Sequence, residues 1–358
     1  MIRTPYDPKE LIPVEVEPPL MPGFPEKPVY DSPISVKENF FMSLRHEKPL
    51  WMPNAFYDTS MICPAVPDNI ARAFVYENVS IPMDTDHVGG PDMFGVEWEY
   101  VPSVGGSMVR GGNPKVPDIT EWEKYISFPD LDEIIDWKTL SERNKSYANP
   151  RKVYSVTILN GLFERLISFM DMQGAMIALV DEEQQDGVHR LFDKLCDFYD
   201  GYIRRYREWF GVEMVAFHDD WGSQRAPFFS LGTLQEMILP YLKRVVDSTH
   251  KYGCFFEMHS CGKNEALVPV MLEAGVDTWQ PQFMNDFDRL YKDCAGKLAV
   301  VIPLKDHVNE NMSENEMYDA VAAFVDKYPM AQASTWMSPD CCAEMLYTAS
   351  RKAFCGSV

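Results

Sequence analysis

FFEMHSCGKNEALVPVMLEAGVD, residues 255–277, is the stretch on which the reading of the fold turns. It opens on an apolar run of strand character, breaks into a polar loop carrying His259 and Cys261, and resumes as a helix from about Asn264. A strand followed by a helix that leads back to another apolar run is the repeating unit of a parallel sheet. The same alternation extends outward, with apolar runs at 153–159, 212–217, 254–258, 276–279, 298–302 and 330–335 separated by helical segments. LWMP at 50–53 and a run near 77–83 raise the strand count to eight, the number that closes a parallel barrel around a packed interior. The predicted fold is α/β, a (β/α)8 TIM barrel, with a doubly wound open sheet as the alternative. No G-x-G-x-x-G or Walker-type loop follows a predicted strand, which removes the usual reason to prefer a nucleotide-binding sheet.

Two regions stand outside this rhythm. Residues 1–36 carry Pro5, Pro8, Pro13, Pro18, Pro19, Pro22, Pro25, Pro28 and Pro33, each fixing φ and removing a backbone donor. That composition predicts a Pro-rich N-terminal extension, an extended arm draped on a barrel domain of residues 37–358. Within the barrel, VGGPDMFGVEWEYVPSVGGSMVRGGNP at 88–114 predicts a loop and hairpin insertion over one face of the core. VKENFFMSLRHE at 36–47 reads as an amphipathic helix. Thr233 with Glu236, and Ser313 with Glu316, fit the capping box at two further helix starts. Met317, Ala320, Val321, Phe324 and Val325 then form one apolar stripe at helical period.

Composition narrows the function classes. At 46% hydrophobic and 24% charged, the 358 residues have ample material for a globular core. The balance of 33 Lys+Arg against 54 Asp+Glu gives a net charge of -21, which repels nucleic-acid phosphates and anionic membrane surfaces alike. No run approaches the roughly 18–20 apolar residues of a membrane span. The opening MIRTPYDPKELIP lacks a signal peptide's apolar stretch, so a cytoplasmic protein is expected. Eight scattered cysteines then read as thiols rather than as a disulfide framework.

In a parallel barrel the functional side chains sit where strands end. His259 and Cys261 occupy such a position, and VAFHDDWGSQ at 215–224 delivers His218, Asp219, Asp220 and Gln224 to another. Imidazole nitrogen and thiolate sulfur two positions apart can turn toward one point and suit Zn²⁺. A third ligand is then required. In WMSPDCCAEM at 336–345, Ser338 can cap and Pro339 can open the last helix, leaving Cys341 and Cys342 in a first turn that favours thiolate. The sequence does not choose between these two cysteines. Asp219 and Asp220 are costly to bury uncompensated, so they are either held by backbone donors or poised toward substrate. General acid, cation binder and orienter of a metal ligand are all open roles for them. Asn54, Tyr57 and His87 are candidate pocket residues, as are His218 and Gln224. Zinc fits methyl transfer well, because a cation stabilises negative charge on the oxygen or sulfur that gives up or accepts the methyl group. Hydrolysis of the usual zinc type is disfavoured by the lack of an H-E-x-x-H helix.

MHSCGKNEALVPVMLEAGVDTWQP, residues 258–281, resembles the strand-helix-strand block of the uroporphyrinogen-decarboxylase superfamily, in its corrinoid-linked zinc methyltransferase branch. KENFFMSLRHEKPLWMP, DMFGVEWEYVPSVGG with Asp92 and Gly95, and HDDWGSQ look like landmarks of that family in their usual order, and the likeness spans roughly 36–354. Decarboxylases of the family carry R-Q-A-G-R-Y after the first strand, whereas this chain reads PNAFYDTS at 53–60, so tetrapyrrole decarboxylation is not implied. The resemblance implies instead that His259, Cys261 and a later cysteine hold zinc. In such methyltransferases that cysteine directly follows the last strand, where this chain has Ala333, Ser334 and Thr335; Cys341 and Cys342 come later. The departure leaves room for an Asp ligand such as Asp220, or for a site without structural metal. The implied reaction moves a methyl group from a small methylated donor, a phenyl methyl ether (as in an O-demethylase component) or a methylamine-type compound, to a corrinoid (cobalamin) carried by a partner protein. Alternatives are transfer from methyl-corrinoid to a thiol or tetrahydrofolate, a metal-independent decarboxylase or lyase acting through Asp219 or Asp220, and a non-catalytic subunit of a corrinoid assembly.

Overall fold

The computed structural model describes residues 3–17, 27–62, 68, 89–101, 106–109, 111–145 and 148–357. It divides into two units, one of Met1–Ser60, Asn149–Tyr154 and Asp277–Val358, the other of Met61–Ala148 and Ser155–Val276. The first unit opens with a single 3-10 turn, Pro8–Leu11, whose Asp7 cap and Glu10 satisfy each other's backbone donors. Strands β1 (Pro13–Glu17) and β2 (Lys27–Tyr30) then pair antiparallel, so the Pro-rich stretch folds back on itself. Helix α1 (Val36–Leu44) starts at Ser35, whose side chain accepts from the Glu38 amide.

LWMP departs from expectation. Leu50, Trp51 and Met52 are buried as predicted, but they form no strand. The Asn39 side chain on α1 accepts from the Leu50 and Trp51 amides and donates to the Trp51 carbonyl, taking up the groups a ladder would use. Only Asn54 makes a strand-like bridge, in parallel to Ala333. The run near 77–83 lies outside the described residues. Strand β3 (Thr59–Ile62) passes from the first unit into the second.

In the second unit the predicted insertion is a three-stranded antiparallel sheet, β4 (Gly89–Pro91), β5 (Glu97–Val101) and β6 (Gly106–Val109). Short helices α2 (Leu131–Ile134) and α3 (Trp137–Asn144) follow. The regular alternation then begins: β7 (Val153–Ile158), α4 (Leu162–Ala178), α5 (Glu182–Phe210), β8 (Met214–His218), α6 (Leu231–Met237), α7 (Leu239–Lys251), β9 (Phe255–Ser260) and α8 (Val268–Ala274). Strands β7, β8 and β9 pair in parallel, with His218 opposite His259. The pleat sorts their side chains onto two faces. Phe217 meets Phe256 and also Tyr199 of α5, each at 5.5 Å between ring centroids, which marks the helix-covered face. Ala216, His218, Glu257 and His259 share the other.

The insertion is tied to α4 by Arg165, whose buried guanidinium pairs with Asp68 and, at 2.9 Å, with Asp92. Asp92 also accepts from the Phe94 and Val96 amides and from the Trp98 indole, so it acts as a structural brace. Helix α6 is capped by Ser230 rather than Thr233; the Ser230 hydroxyl takes the Thr233 amide, which places Thr233 at the third helical position.

The first unit resumes with β10 (Thr278–Pro281), α9 (Phe287–Asp293), β11 (Ala299–Pro303), α10 (Glu314–Lys327), β12 (Gln332–Ser334) and α11 (Cys342–Cys355). Strands β10, β11 and β12 are parallel. Helix α10 has the predicted Ser313–Glu316 capping box and buries Val321, Phe324 and Val325. Helix α11 begins later than predicted, with Cys341 at its cap and the Cys342 amide donating to the Pro339 carbonyl in the turn before. All six predicted runs after residue 150 are strands, and the parallel strands among the described residues are seven, β3 and β7–β12, one fewer than the predicted eight. No helix among the described residues is long and apolar enough to cross a membrane.

Candidate metal centre

Strands β8 and β9 end side by side in the second unit, and the loops that follow them are locked together. Gly262 has φ 100, and a side chain there would collide with the Gly222 backbone, so the two loops pack main chain to main chain. The Lys263 amide donates to the Ser223 carbonyl at 2.8 Å. Ser260 accepts from the Trp221 amide at 3.0 Å and from the Asn264 side chain at 2.9 Å. This framework brings Asp220 against Cys261, whose amide donates to Asp220 Oδ1 at 2.7 Å.

Cys261 Sγ lies 3.6 Å from His259 Nε2. One ligand atom from each of Asp220, His259 and Cys261 falls within 4.8 Å of the others, and all three residues are half-buried. A fit to zinc can be tested on this geometry. Tetrahedral bonds of about 2.3 Å to sulfur and about 2.05 Å to nitrogen set those two atoms about 3.6 Å apart, which is the separation found. Nitrogen, sulfur and carboxylate oxygen are also the donor set zinc prefers. The His218 ring stacks on that of His259 at 4.3 Å between centroids and 29° between planes, which fixes the plane of the imidazole.

Asp219 is placed differently from its neighbour. It is fully buried, with Oδ1 accepting from the Glu164 amide and Oδ2 from the Trp221 indole. Burial pushes its carboxyl up to about 7, the Asp220 charge adds to the rise, and the Glu164 and Trp221 donors oppose it. Both oxygens are engaged, so Asp219 braces the turn between β7 and α4 against the end of β8. Gln224 is exposed on the loop beyond. Sequence reasoning passed over Ser260 and Asn264, and also Glu257. The last of these was signalled by parity, being a charged residue two positions before His259 within an apolar run. Burial alone pushes its carboxyl up to about 7.

The remaining candidates lie in the first unit. Asn54 and Tyr57 line a cavity of about 60 Å³ with Tyr30, Trp51, Asp58 and Tyr347. The Asn54 side chain donates to the Thr335 hydroxyl at 2.8 Å and accepts from the Phe56 amide, and burial raises the Tyr57 phenol. Cys341 is exposed, whereas Cys342 is buried and its thiol is pushed up to about 12, so burial outweighs the expected help of the helix N-terminus. His87 lies outside the described residues.

Fold and site together define a parallel α/β protein in which a nitrogen, a sulfur and a carboxylate oxygen that could hold a metal ion meet at the ends of two strands. Residues 69–301 match the uroporphyrinogen decarboxylase (URO-D) family, and the chain belongs to that family. A methyltransferase from Methanosarcina mazei has a similar fold, with a TM-score of 0.59 at 12% identity over 90% of this chain and 99% of that one. L-ribulose 3-epimerase gives a TM-score of 0.36 at 12% identity over 64% of this chain and 81% of that one. A sugar phosphate isomerase/epimerase from Parabacteroides distasonis gives 0.33 at 10% identity over 66% and 81%. No curated protein matches the chain.

Proposed function

We propose that this chain is a zinc-dependent methyltransferase that moves a methyl group from a small methylated donor to a corrinoid protein. The observation that carries the reading is the Asp220, His259 and Cys261 group at the ends of β8 and β9. Membership of the family, and the methyltransferase fold of the Methanosarcina mazei protein, support it. Zinc bound there would stabilise the negative charge left on oxygen or sulfur when a methyl group departs.

The chain's own residues divide the remaining work. His259 offers Nε2 and Cys261 offers Sγ. Asp220 holds the Cys261 amide with one carboxylate oxygen, and its second oxygen would serve an ion, which supports Asp220 as the third ligand rather than Cys341 or Cys342. Held by three protein ligands, zinc would keep a fourth position for the substrate, as in catalytic zinc sites. His218 and Asp219 act as positioning residues, the first through the His259 ring and the second through the loop.

The test combines metal analysis with separated half-reactions. The purified protein is expected to hold about one zinc per chain, and to methylate cob(I)alamin from a methoxyarene or a methylated amine. Methylcob(III)alamin offered with a thiol or with tetrahydrofolate reads the opposite direction. A metal-free protein whose turnover is unchanged in His259→Ala and Cys261→Ala would end the proposal.

A further inference from the structure

Glu257 stands one pleat below His259 on β9, on the face of the sheet turned away from α5. Its neighbour across the ladder is Ala216, whose methyl leaves the carboxyl room, and the next pair along is His218 and His259. The side chain is 8% exposed, and among the described residues it has neither a hydrogen-bond partner nor an ion pair. A carboxyl held this way is costly unless something else completes it. The charge count of the adjacent site says what is missing. One carboxylate, one thiolate and one neutral imidazole would balance a divalent ion, so the adjacent site offers Glu257 no counter-charge.

We infer that Glu257 is a specificity-determining residue that receives a positively charged group of the methyl donor, so that the substrate is a methylated ammonium compound rather than a neutral methyl ether. This inference rests on the methyltransferase reading above and narrows its donor class. Attraction between a carboxylate and an ammonium is strong where water is excluded. Held by this carboxylate beside the ligand group, the cationic nitrogen would give its methyl group to cob(I)alamin and keep the C–N electron pair, leaving as a neutral amine whose lone pair, rather than a negative charge, zinc at Asp220, His259 and Cys261 could accept.

The experiment uses the zinc-loaded protein with tetramethylammonium and a neutral methoxyarene as probes, in wild type, Glu257→Gln and Glu257→Leu. Binding is followed calorimetrically at fixed ionic strength, and transfer to cob(I)alamin is measured in parallel. Expected are tetramethylammonium binding in the wild type, a rise in Kd and KM of at least about tenfold in Glu257→Gln, and retained zinc. The melting temperature should be unchanged or higher in both variants, since an uncompensated buried carboxyl is removed. A purely structural Glu257 would instead lower the melting temperature and leave ammonium affinity untouched. Equal affinity in wild type and Glu257→Gln, or binding of the methoxyarene alone, overturns the inference while methyl transfer upholds the broader function. Loss of ammonium binding in Glu257→Gln with no transfer from any donor upholds the carboxylate's role and overturns the methyltransferase reading.

Discussion

His259 and Cys261 sit on a strand end, where side chains contribute little to the core. Replacing either by Ala is therefore expected to abolish zinc retention while leaving the circular dichroism spectrum intact; metal content after gel filtration measures the first and the spectrum the second. Asp220→Asn keeps an oxygen for the Cys261 amide but loses the charge, so zinc affinity should fall at least about tenfold in a competitive chelator titration. Asp219 behaves differently because its carboxyl sits at about 7, above its ordinary value of 3.8. The folded chain thus keeps a proton there that the unfolded chain has released from about pH 4 upward. The cost of burying the charge is absent at low pH and grows as pH rises through 7. In metal-free protein, the stability of Asp219→Asn relative to wild type should rise between pH 4 and 7.5 by about 1–4 kcal/mol, a shift of one unit being about 1.4 kcal/mol. The lost acceptor adds a pH-independent offset, so the slope of the difference in urea unfolding is the diagnostic quantity, and a flat difference would show that Asp219 is ionised throughout.

At the level of elements, the junction of β7 and α4 makes the sharpest case. Gly161 caps α4, and a side chain there would stand 2.6 Å from Asp219 Cβ, the His218 carbonyl and the Phe217 ring. Gly161→Ala must displace the end of β8, and is expected to cost about 1–3 kcal/mol in chemical denaturation and to weaken zinc binding with it. The six runs after residue 150 were legible because strands buried on both faces read as unbroken apolar stretches. LWMP has the same composition, yet Asn39, eleven residues earlier, captures its backbone groups, and no local pattern announces that. Thr233 carries a capping box as good as that of Ser313, but Ser230 reaches the same helix end first. His259 and Cys261 were legible as candidates because two side chains of metal-binding type within three residues need no knowledge of the fold. Asp220 was visible as a candidate only, since the register that sets it beside Cys261 belongs to the pairing of β8 with β9. Ser260 and Asn264 carry no sequence signal beyond polarity, because their importance lies in crossing from one loop to another.

Across the molecule, the two ends of the described chain meet. Tyr6 bridges Ser357 and its amide donates to the Gly356 carbonyl at 2.9 Å. Close by, Glu10 accepts two bonds from Arg351 and one from the Tyr347 hydroxyl, at 2.8, 2.8 and 2.7 Å. Burial raises the Glu10 carboxyl, but the Arg351, Tyr347 and Asp7 donors outweigh it and hold the group below its ordinary range. A lowered carboxylate contributes stability that is present above its unfolded value, about 4.5, and lost as pH falls through the folded one. Residues 3–12 should therefore become accessible to an acid-active protease as the pH is lowered below the ordinary carboxylate range. The chain as a whole responds in the opposite sense, since its net charge of -21 is partly neutralised on acidification and self-repulsion weakens. Glu10→Gln separates the two effects. It should expose the same segment at neutral pH, at a cost of about 3 kcal/mol for a broken buried pair, and remove the acid dependence of its cleavage. Equal cleavage of wild type and variant across the range would show that the aromatic cluster of Tyr6, Trp51 and Tyr347, rather than the ion pair, holds the ends together.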